Sequence, residues 1–255
     1  MQVNEKSVLI NGLDSHYKIQ GEGIPLLVLH GWGGSSNSWA SVQNILAEKG
    51  FQVIVPDLPG FGKTNPPNKG WGVSDYVEWT SAFASALGIT EPLFLLGHSF
   101  GGRVAIKLSA KYPTEVKSLI LCASAGIKPK KGLKGKTLSA VSKVGKSLPL
   151  GKFQGGVRTG FYKLIGKTDY MKAQGTMKDT IKEVLKEDLL PYLSKIQANT
   201  LVVWGKNDKT VPLLYGKIIK EKIPGSELII IDDSGHSPHL DNPEKLSEII
   251  THFIT

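Results

Sequence analysis

The most informative segment of the sequence is LFLLGHSFGGRVAI, residues 93–106. An apolar run ends at Gly97, a serine follows at position 99, and a helical pattern begins directly after it. Residues 97–101 fit the pattern G-x-S-x-G, in which a strand turns at once into a helix and holds the serine on a strained corner. Small neighbours avoid clashes as the helix folds back over the strand. The pattern predicts a serine hydroxyl exposed at a helix N-terminus, although a glycine-rich turn with an idle serine is the alternative.

Apolar runs alternate with helical patterns on both sides of this stretch. Residues 7–20 alternate around Asn11-Gly12 and predict a hairpin. Near-continuous apolar strands that alternate with helices indicate a mostly parallel sheet covered on both faces. Ligands of such sheets bind at the carboxyl ends of the strands. The predicted strands are 24–31, 51–57, 92–97, 116–124, 199–205 and 226–232, and the predicted helices are 38–49, 74–88 with Ser74 as N-cap, 100–112, 213–222 and 242–254.

A serine needs a base to act as a nucleophile, and histidines that follow strands are the candidates. His236 follows the last strand, in a loop opened by Ser234-Gly235, and is the favoured base. His30 also follows a strand, and His239 lies three residues beyond His236, so both stay open as alternatives. The remaining histidines, His16, His98 and His252, are expected to be ordinary surface or core residues or to point away from the serine.

A carboxylate is needed to orient the histidine and stabilise its imidazolium form. Asp208 follows another strand and precedes Pro212, which opens a helix, so it is the favoured acid. Asp232 and Asp233 are expected to serve the turn at the end of their own strand. Asp57, in the segment DLPGFGKT, is interpreted as part of a structural turn.

Two backbone N–H groups are candidates for an oxyanion hole, which acyl transfer requires. Phe100 follows the serine at the start of a helix, and Trp32 lies in a glycine-rich loop after a strand. The alternative for that loop is a tight turn with no further role. The residues expected to line a substrate pocket are His30, Gly31, Leu148, Phe153 and Phe161.

The positive charge of the chain is concentrated in one internal segment. The chain has 255 residues and a net charge of +9; residues 127–190 contain 15 of its 31 Lys and Arg and 5 of its 22 Asp and Glu. The segment therefore carries +10 and the remainder −1, which suggests an insertion. We interpret 127–190 as a mainly helical cap, or lid, with Ile181, Val184 and Leu185 on one helix face, inserted into a core domain of residues 1–126 and 191–255.

The same composition bounds partners and compartment. Aromatic residues are not interleaved with the lysines, so no nucleic-acid binding is expected, whereas the cap could steer anionic substrates or touch an anionic surface. Cys122 is the only cysteine, so no intramolecular disulfide is possible. The start of the chain lacks a leader pattern, and no apolar run reaches the roughly 18 residues of a membrane span. A cytoplasmic protein without a transmembrane segment is expected.

Five motifs, taken in chain order, resemble the cap-bearing, serine esterase-like branch of the α/β-hydrolase superfamily. They are HGWGG (30–34), DLPGFGKT (57–64), GHSFGG (97–102), WGKND (204–208) and SGHSPHLDNPE (234–244). The resemblance covers residues 20–126 and 195–255. It implies an eight-stranded, mostly parallel sheet with helices on both faces and a cap after the sixth strand, a triad of Ser99, Asp208 and His236, an oxyanion hole from Trp32 and Phe100, and no metal or organic cofactor.

The resemblance narrows the reaction without fixing it. Haloalkane dehalogenases and epoxide hydrolases of this type carry an aspartate where this chain has Ser99. Relatives that cleave carbon–carbon bonds tend to have Asn before the serine and Trp after the histidine, where this chain has His98 and Ser237. We therefore expect a serine carboxylesterase acting on a small-molecule ester of small or medium acyl chain through an acyl-enzyme. A thioesterase, a lactonase, a carbon–carbon bond hydrolase and a slow-turnover ligand sensor are the alternatives.

Overall fold

One eight-stranded sheet dominates the computed structural model, which describes residues 2–89, 92–128 and 175–255. The strand order is β1-β2-β4-β3-β5-β6-β7-β8. The hairpin β1–β2 is antiparallel and joins β4 antiparallel, and all other neighbours are parallel. The predicted mostly parallel sheet is confirmed. Its strands are β1 (Asn4–Ile10), β2 (Leu13–Gln20), β3 (Ile24–Leu29), β4 (Phe51–Pro56), β5 (Leu93–His98), β6 (Val116–Cys122), β7 (Asn199–Gly205) and β8 (Glu227–Ile231).

Helices follow most of the strands. After a short 3-10 turn, Ser36–Trp39, they are α1 (Ala40–Glu48), α2 (Val73–Ala86), α3 (Phe100–Lys111), α4 (Thr176–Lys186), α5 (Leu190–Leu193), α6 (Leu213–Lys222), α7 (Pro238–Asp241) and α8 (Pro243–Ile254). The prediction that Ser74 caps α2 is wrong. The cap is Gly72, whose N–H donates to the Asp75 carboxylate at 2.8 Å, while the Ser74 hydroxyl accepts from Lys107.

Both faces of the sheet are buried, because successive residues of each strand point to opposite sides. Leu27, Leu95 and Trp204 face the cluster that α2, α3 and α6 cover. Leu26 and Leu96 face a second cluster, which α1 and α8 cover. Burial on both sides explains why these strands are near-continuous apolar runs.

The segment predicted as a cap is described only in part. Its last portion forms α4, between β6 and β7 in the chain, and Ile181 and Val184 of α4 are buried as the spacing predicted. The pocket residues predicted within the segment, Leu148, Phe153 and Phe161, lie outside the described residues. The domain boundaries therefore stay a prediction.

No helix within residues 2–89, 92–128 and 175–255 has both the length and the apolar character to cross a bilayer.

Candidate active site

Ser99 occupies the strained corner that the sequence predicts. It lies between the last residue of β5 and the first residue of α3, with φ of 51° and ψ of −108°. A Cβ atom on Gly97 would lie 2.6 Å from the carbonyl oxygen of Gly101, and one on Gly101 would collide with the carbonyl of Leu29. The glycines are therefore required by the close approach of α3 to β5 and β3.

Ser99, His236 and Asp208 form one chain of hydrogen bonds. Nδ1 of His236 lies 2.8 Å from Oδ2 of Asp208, and Nε2 of His236 lies 3.0 Å from Oγ of Ser99. A carboxylate only accepts, so Nδ1 carries the ring proton and Nε2 is left to accept from the serine hydroxyl. The structure thus brings together the three residues that the sequence favours.

The carboxylate of Asp208 is held in a fixed orientation. Its side chain is fully buried, and its Oδ1 accepts from the backbone N–H groups of Thr210 and Val211, each at 2.8 Å. These donors leave Oδ2 for the histidine. Asp208 therefore acts on the ring through one oxygen and is anchored through the other.

The loop that carries Asp208 is hydrogen-bonded to the loop that carries His236. The N–H of Asn207 donates to the carbonyl of Ser234 at 3.0 Å. On the histidine side, Asp241 accepts from the Gly235 N–H at 2.8 Å and from the Ser234 hydroxyl at 3.1 Å. Sequence reasoning missed Asp241, whose only signal is its place in the motif around the histidine.

The glycine-rich loop after β3 is shaped by the buried ring of His30. Nδ1 of His30 donates to the carbonyl of Gly31 at 2.7 Å, and its Nε2 accepts from the Leu58 N–H at 3.0 Å. The Gly34 N–H donates to the same carbonyl of Gly31 at 3.0 Å. The Gly31 carbonyl and the Trp32 N–H belong to the same peptide group. Because the two groups of one planar peptide point in opposite directions, His30 fixes where the Trp32 N–H points.

The prediction that His30 lines a substrate pocket stays a prediction, and in the structure its ring turns into the protein interior. Its side chain is fully buried, and burial lowers the pKa of the ring. The neutral ring can donate through one nitrogen and accept through the other, as the two bonds require. The sequence placed His30 in the correct loop, but nothing in it showed that the ring turns inward.

Asp57 anchors the same loop from the side of β4. It accepts from the N–H of Ser36 at 2.6 Å, from the N–H of Lys63 at 2.8 Å and from Nδ1 of His16 at 2.9 Å. Burial disfavours the carboxylate, but the N–H donors outweigh burial and lower the pKa of Asp57. The interpretation of DLPGFGKT as a structural turn is confirmed.

Two further histidines lie behind the hydrogen-bonded chain. Nε2 of His98 donates to the carbonyl of His236 at 2.8 Å, a support that sequence reasoning missed. Burial, together with the nearby rings of His239 and His236, holds the pKa of His98 well below its usual value. His239 stacks on Trp39, with ring centroids 4.3 Å apart, and burial lowers its pKa to about 4. His239, the alternative base, is therefore part of the packing around His236.

Ser99 borders two of the cavities that the described residues line. One of about 350 Å³ is bordered by Gly31, Trp32 and His236. The other, of about 30 Å³, is bordered by Trp32 and Phe100. Phe100 is the first residue of α3, so its N–H has no acceptor within that helix.

Within the described ranges, no group of three or more His, Cys, Asp or Glu side chains is placed to hold a metal ion.

A serine on a strand-to-helix corner, bonded to a histidine that a buried carboxylate orients, is the arrangement found in hydrolases of the α/β type. A family model described as alpha/beta hydrolase fold matches residues 24–149 and 145–243. The chain therefore belongs to the alpha/beta hydrolase family.

Similar proteins within this family include lipases and esterases. Lipase 1 of Psychrobacter immobilis is 30% identical over 247 residues, which cover 86% of this chain and 73% of that protein. Pimeloyl-[acyl-carrier protein] methyl ester esterase of Aeromonas hydrophila is 28% identical over 268 residues, covering 92% and 96%. The solved structure of an esterase from Exiguobacterium antarcticum has a TM-score of 0.78 at 23% identity and covers 99% of this chain and all of that chain, a likeness of fold.

Proposed function

We propose that this chain is a serine carboxylesterase that cleaves esters of small or medium acyl chain through an acyl-enzyme intermediate. The observation that carries the proposal is the chain of two hydrogen bonds, 3.0 Å from Ser99 to His236 and 2.8 Å from His236 to Asp208. The lipase and esterase names of similar proteins support the same reaction class. Fold alone would not, because many reactions share it.

In the first half-reaction Oγ of Ser99 attacks the ester carbonyl carbon, and Nε2 of His236 takes the hydroxyl proton. The backbone N–H groups of Trp32 and Phe100 hold the oxyanion that forms on the carbonyl oxygen. His236 then gives its proton to the departing alcohol oxygen as the carbon–oxygen bond breaks. Asp208 stabilises the imidazolium form in between.

In the second half-reaction water replaces the alcohol. Nε2 of His236 takes a proton from the water, whose oxygen attacks the acyl carbon bonded to Ser99. Collapse of the intermediate returns the proton to the serine and releases the carboxylic acid. In this proposal residues 127–190 act as a cap, which agrees with Ile181 and Val184 of α4 bordering the smaller cavity beside Ser99.

The test is hydrolysis of p-nitrophenyl esters, acetate to palmitate, by wild type, Ser99→Ala and Ser109→Ala. Ser109 is a matched control because it lies on the same helix, is buried and has an unpaired hydroxyl. We expect Ser109→Ala to equal wild type and Ser99→Ala to lose about 10³-fold or more in kcat. A fluorophosphonate should phosphonylate wild type and Ser109→Ala, which gain the mass of the reagent less that of the HF released, but not Ser99→Ala.

Other outcomes would redirect the proposal. Equal hydrolysis by wild type and Ser99→Ala would refute the role of Ser99. A burst of one nitrophenol per chain without turnover would indicate a slow-turnover sensor. Higher kcat/KM for thioesters or lactones than for matched esters would indicate those reactions, which need the same groups.

A further inference from the structure

Two of the cavities lined by the described residues border Ser99, and their volumes are about 350 Å³ and about 30 Å³. Ser99 and Trp32 border both of them. Among the described lining residues, His236 borders the larger cavity and Phe100 borders the smaller one. The larger cavity is therefore on the histidine side of the nucleophile, and the smaller one lies beside α3 and α4.

The chemistry of ester cleavage assigns a role to each side. The alcohol oxygen receives its proton from Nε2 of His236, so the alcohol must lie within hydrogen-bond reach of that ring. The carbonyl oxygen turns toward the backbone N–H groups, and the acyl chain leaves the carbon in the remaining direction. The larger cavity is thus the alcohol side, and the smaller cavity is the acyl side.

The larger cavity carries hydroxyl groups beyond the reacting ones. Ser38, Thr210 and Ser237 all border it and are all partly exposed. Ser38 donates to the carbonyl of Ser35 at 2.7 Å, which leaves its oxygen free to accept. Ser237 precedes α7, but its side chain makes no capping bond to that helix. The backbone N–H of Thr210 donates to the carboxylate of Asp208, and this bond fixes the backbone position from which the Thr210 side chain extends. These hydroxyl groups fit an alcohol that has hydroxyls of its own.

The smaller cavity is walled mainly by apolar side chains that are held in place. Phe100, Ile181 and Val184 border it. Arg103, on α3, donates through Nη1 to the carbonyls of Val184 at 3.1 Å and Glu187 at 3.3 Å and so ties the end of α4 to the helix that follows the nucleophile. A cavity of this size holds only a few non-hydrogen atoms. The acyl group that fits is short and apolar.

We propose that the substrate class of this site is a short-chain acyl ester of a hydroxylated alcohol, a polyol. This inference rests on the esterase function proposed above. It specifies both sides of the ester bond, with Thr210 and Ser237 binding the alcohol and Val184 limiting the acyl chain.

The test of the alcohol side compares glyceryl 1-acetate with n-propyl acetate, which share the acyl group and the carbon skeleton and differ in two hydroxyls. We expect kcat/KM to be about 10-fold higher for the glyceryl ester, the size of effect of two neutral hydrogen bonds. The double variant Thr210→Val/Ser237→Ala should lower the ratio several-fold, because only the hydroxyl of Ser38 then remains, while Ser109→Ala keeps it. Thr210→Ser with native Ser237 should also keep it, because the hydroxyl is retained.

The test of the acyl side compares glyceryl 1-acetate with glyceryl 1-hexanoate. Wild type should prefer the acetate by about 10-fold or more, and Val184→Ala should reduce that preference by enlarging the cavity. Circular dichroism melting checks that each variant is folded.

The outcomes separate this inference from the proposed function. Turnover of p-nitrophenyl acetate with equal kcat/KM for the two acetates, or with a preference for the hexanoate, overturns the inference and leaves the esterase function standing. Absence of turnover on every ester overturns the esterase function, and this inference falls with it.

Discussion

Replacing Asp208 by Asn tests the hydrogen-bonded chain most directly, because the structure dictates how the amide must sit. Oδ1 accepts from two backbone N–H groups, of Thr210 and Val211, so the NH₂ group of Asn cannot take that position without facing two donors. The NH₂ must therefore face Nδ1 of His236. A donor at that place forces Nδ1 to be the bare nitrogen, and the ring proton moves to Nε2.

A proton on Nε2 removes the acceptor that the Ser99 hydroxyl needs. We expect Asp208→Asn to lower kcat by about 10⁴-fold, the size of effect of the wrong tautomer in the chymotrypsin triad, with a smaller change in KM. The measurement is steady-state hydrolysis of p-nitrophenyl acetate together with urea unfolding. Asp232→Asn is the matched control, because Asp232 lies on the neighbouring loop, is exposed and pairs with Lys206. A folded Asp208→Asn variant that keeps a tenth or more of the wild-type kcat would refute the reasoning.

Three more perturbations test the supports around the site. His30→Phe removes one of two donors to the Gly31 carbonyl and leaves the Leu58 N–H without its acceptor. We expect kcat to fall about 10- to 100-fold, an effect smaller than or comparable to the loss of a whole oxyanion donor. An unchanged kcat would contradict the role of His30. The pKa of His239 is about 4 in the folded chain and about 6.5, its ordinary value, in the unfolded chain, so the unfolded chain binds more protons between these pH values. Its contribution to the unfolding free energy is thus fully present above about pH 6.5 and falls by up to about 3 kcal/mol as the pH drops toward 4. His239→Phe can keep the stacking on Trp39. Urea unfolding of this variant at several pH values should show a smaller decrease of the unfolding free energy in acid than wild type shows. A decrease as steep as that of wild type would count against this role of His239. Arg103→Met removes the two hydrogen bonds that this buried cation donates and should lower the unfolding free energy, measured in urea, by about 2 kcal/mol. An unchanged urea midpoint would contradict this expectation.

The parts of the fold that sequence predicts are those in which neighbours along the chain decide the structure. Asn11 and Gly12 both have positive φ, 49° and 82°, as the turn between β1 and β2 requires. The corner at Ser99 is likewise local, because a strand that turns at once into a helix constrains only the few residues around it. The triad candidates followed because parallel strands end at one edge of the sheet, so residues far apart in sequence are brought there by the topology.

The parts that sequence reasoning missed depend on which way a side chain turns. His98 reaches the carbonyl of His236, 138 positions along the chain, and no local pattern encodes that contact. His30 follows a strand just as His236 does, yet its ring turns inward because the Leu58 N–H and the Gly31 carbonyl satisfy both nitrogens. The start of α2 was misassigned for a similar reason. Ser74 is a good N-cap residue, but a lysine from α3 uses its hydroxyl, and Asp75 satisfies the N–H of Gly72 instead.

The strain at Ser99 persists because the backbone around it is held from the ends of β6 and β3, the two strands on either side of β5. The N–H of Ser99 donates to the carbonyl of Cys122 at the end of β6, and its own carbonyl accepts from Ala125 at 3.1 Å. The N–H of Gly101 donates to the carbonyl of His30, directly after β3, at 3.1 Å. A positive φ at a residue other than glycine costs on the order of 1–3 kcal/mol, and such a cost is met only where the surroundings over-determine the conformation. The same bond from Gly101 to His30 links the corner to the loop of Trp32. The serine and the two N–H groups proposed to hold the oxyanion are therefore positioned by one connected set of backbone hydrogen bonds.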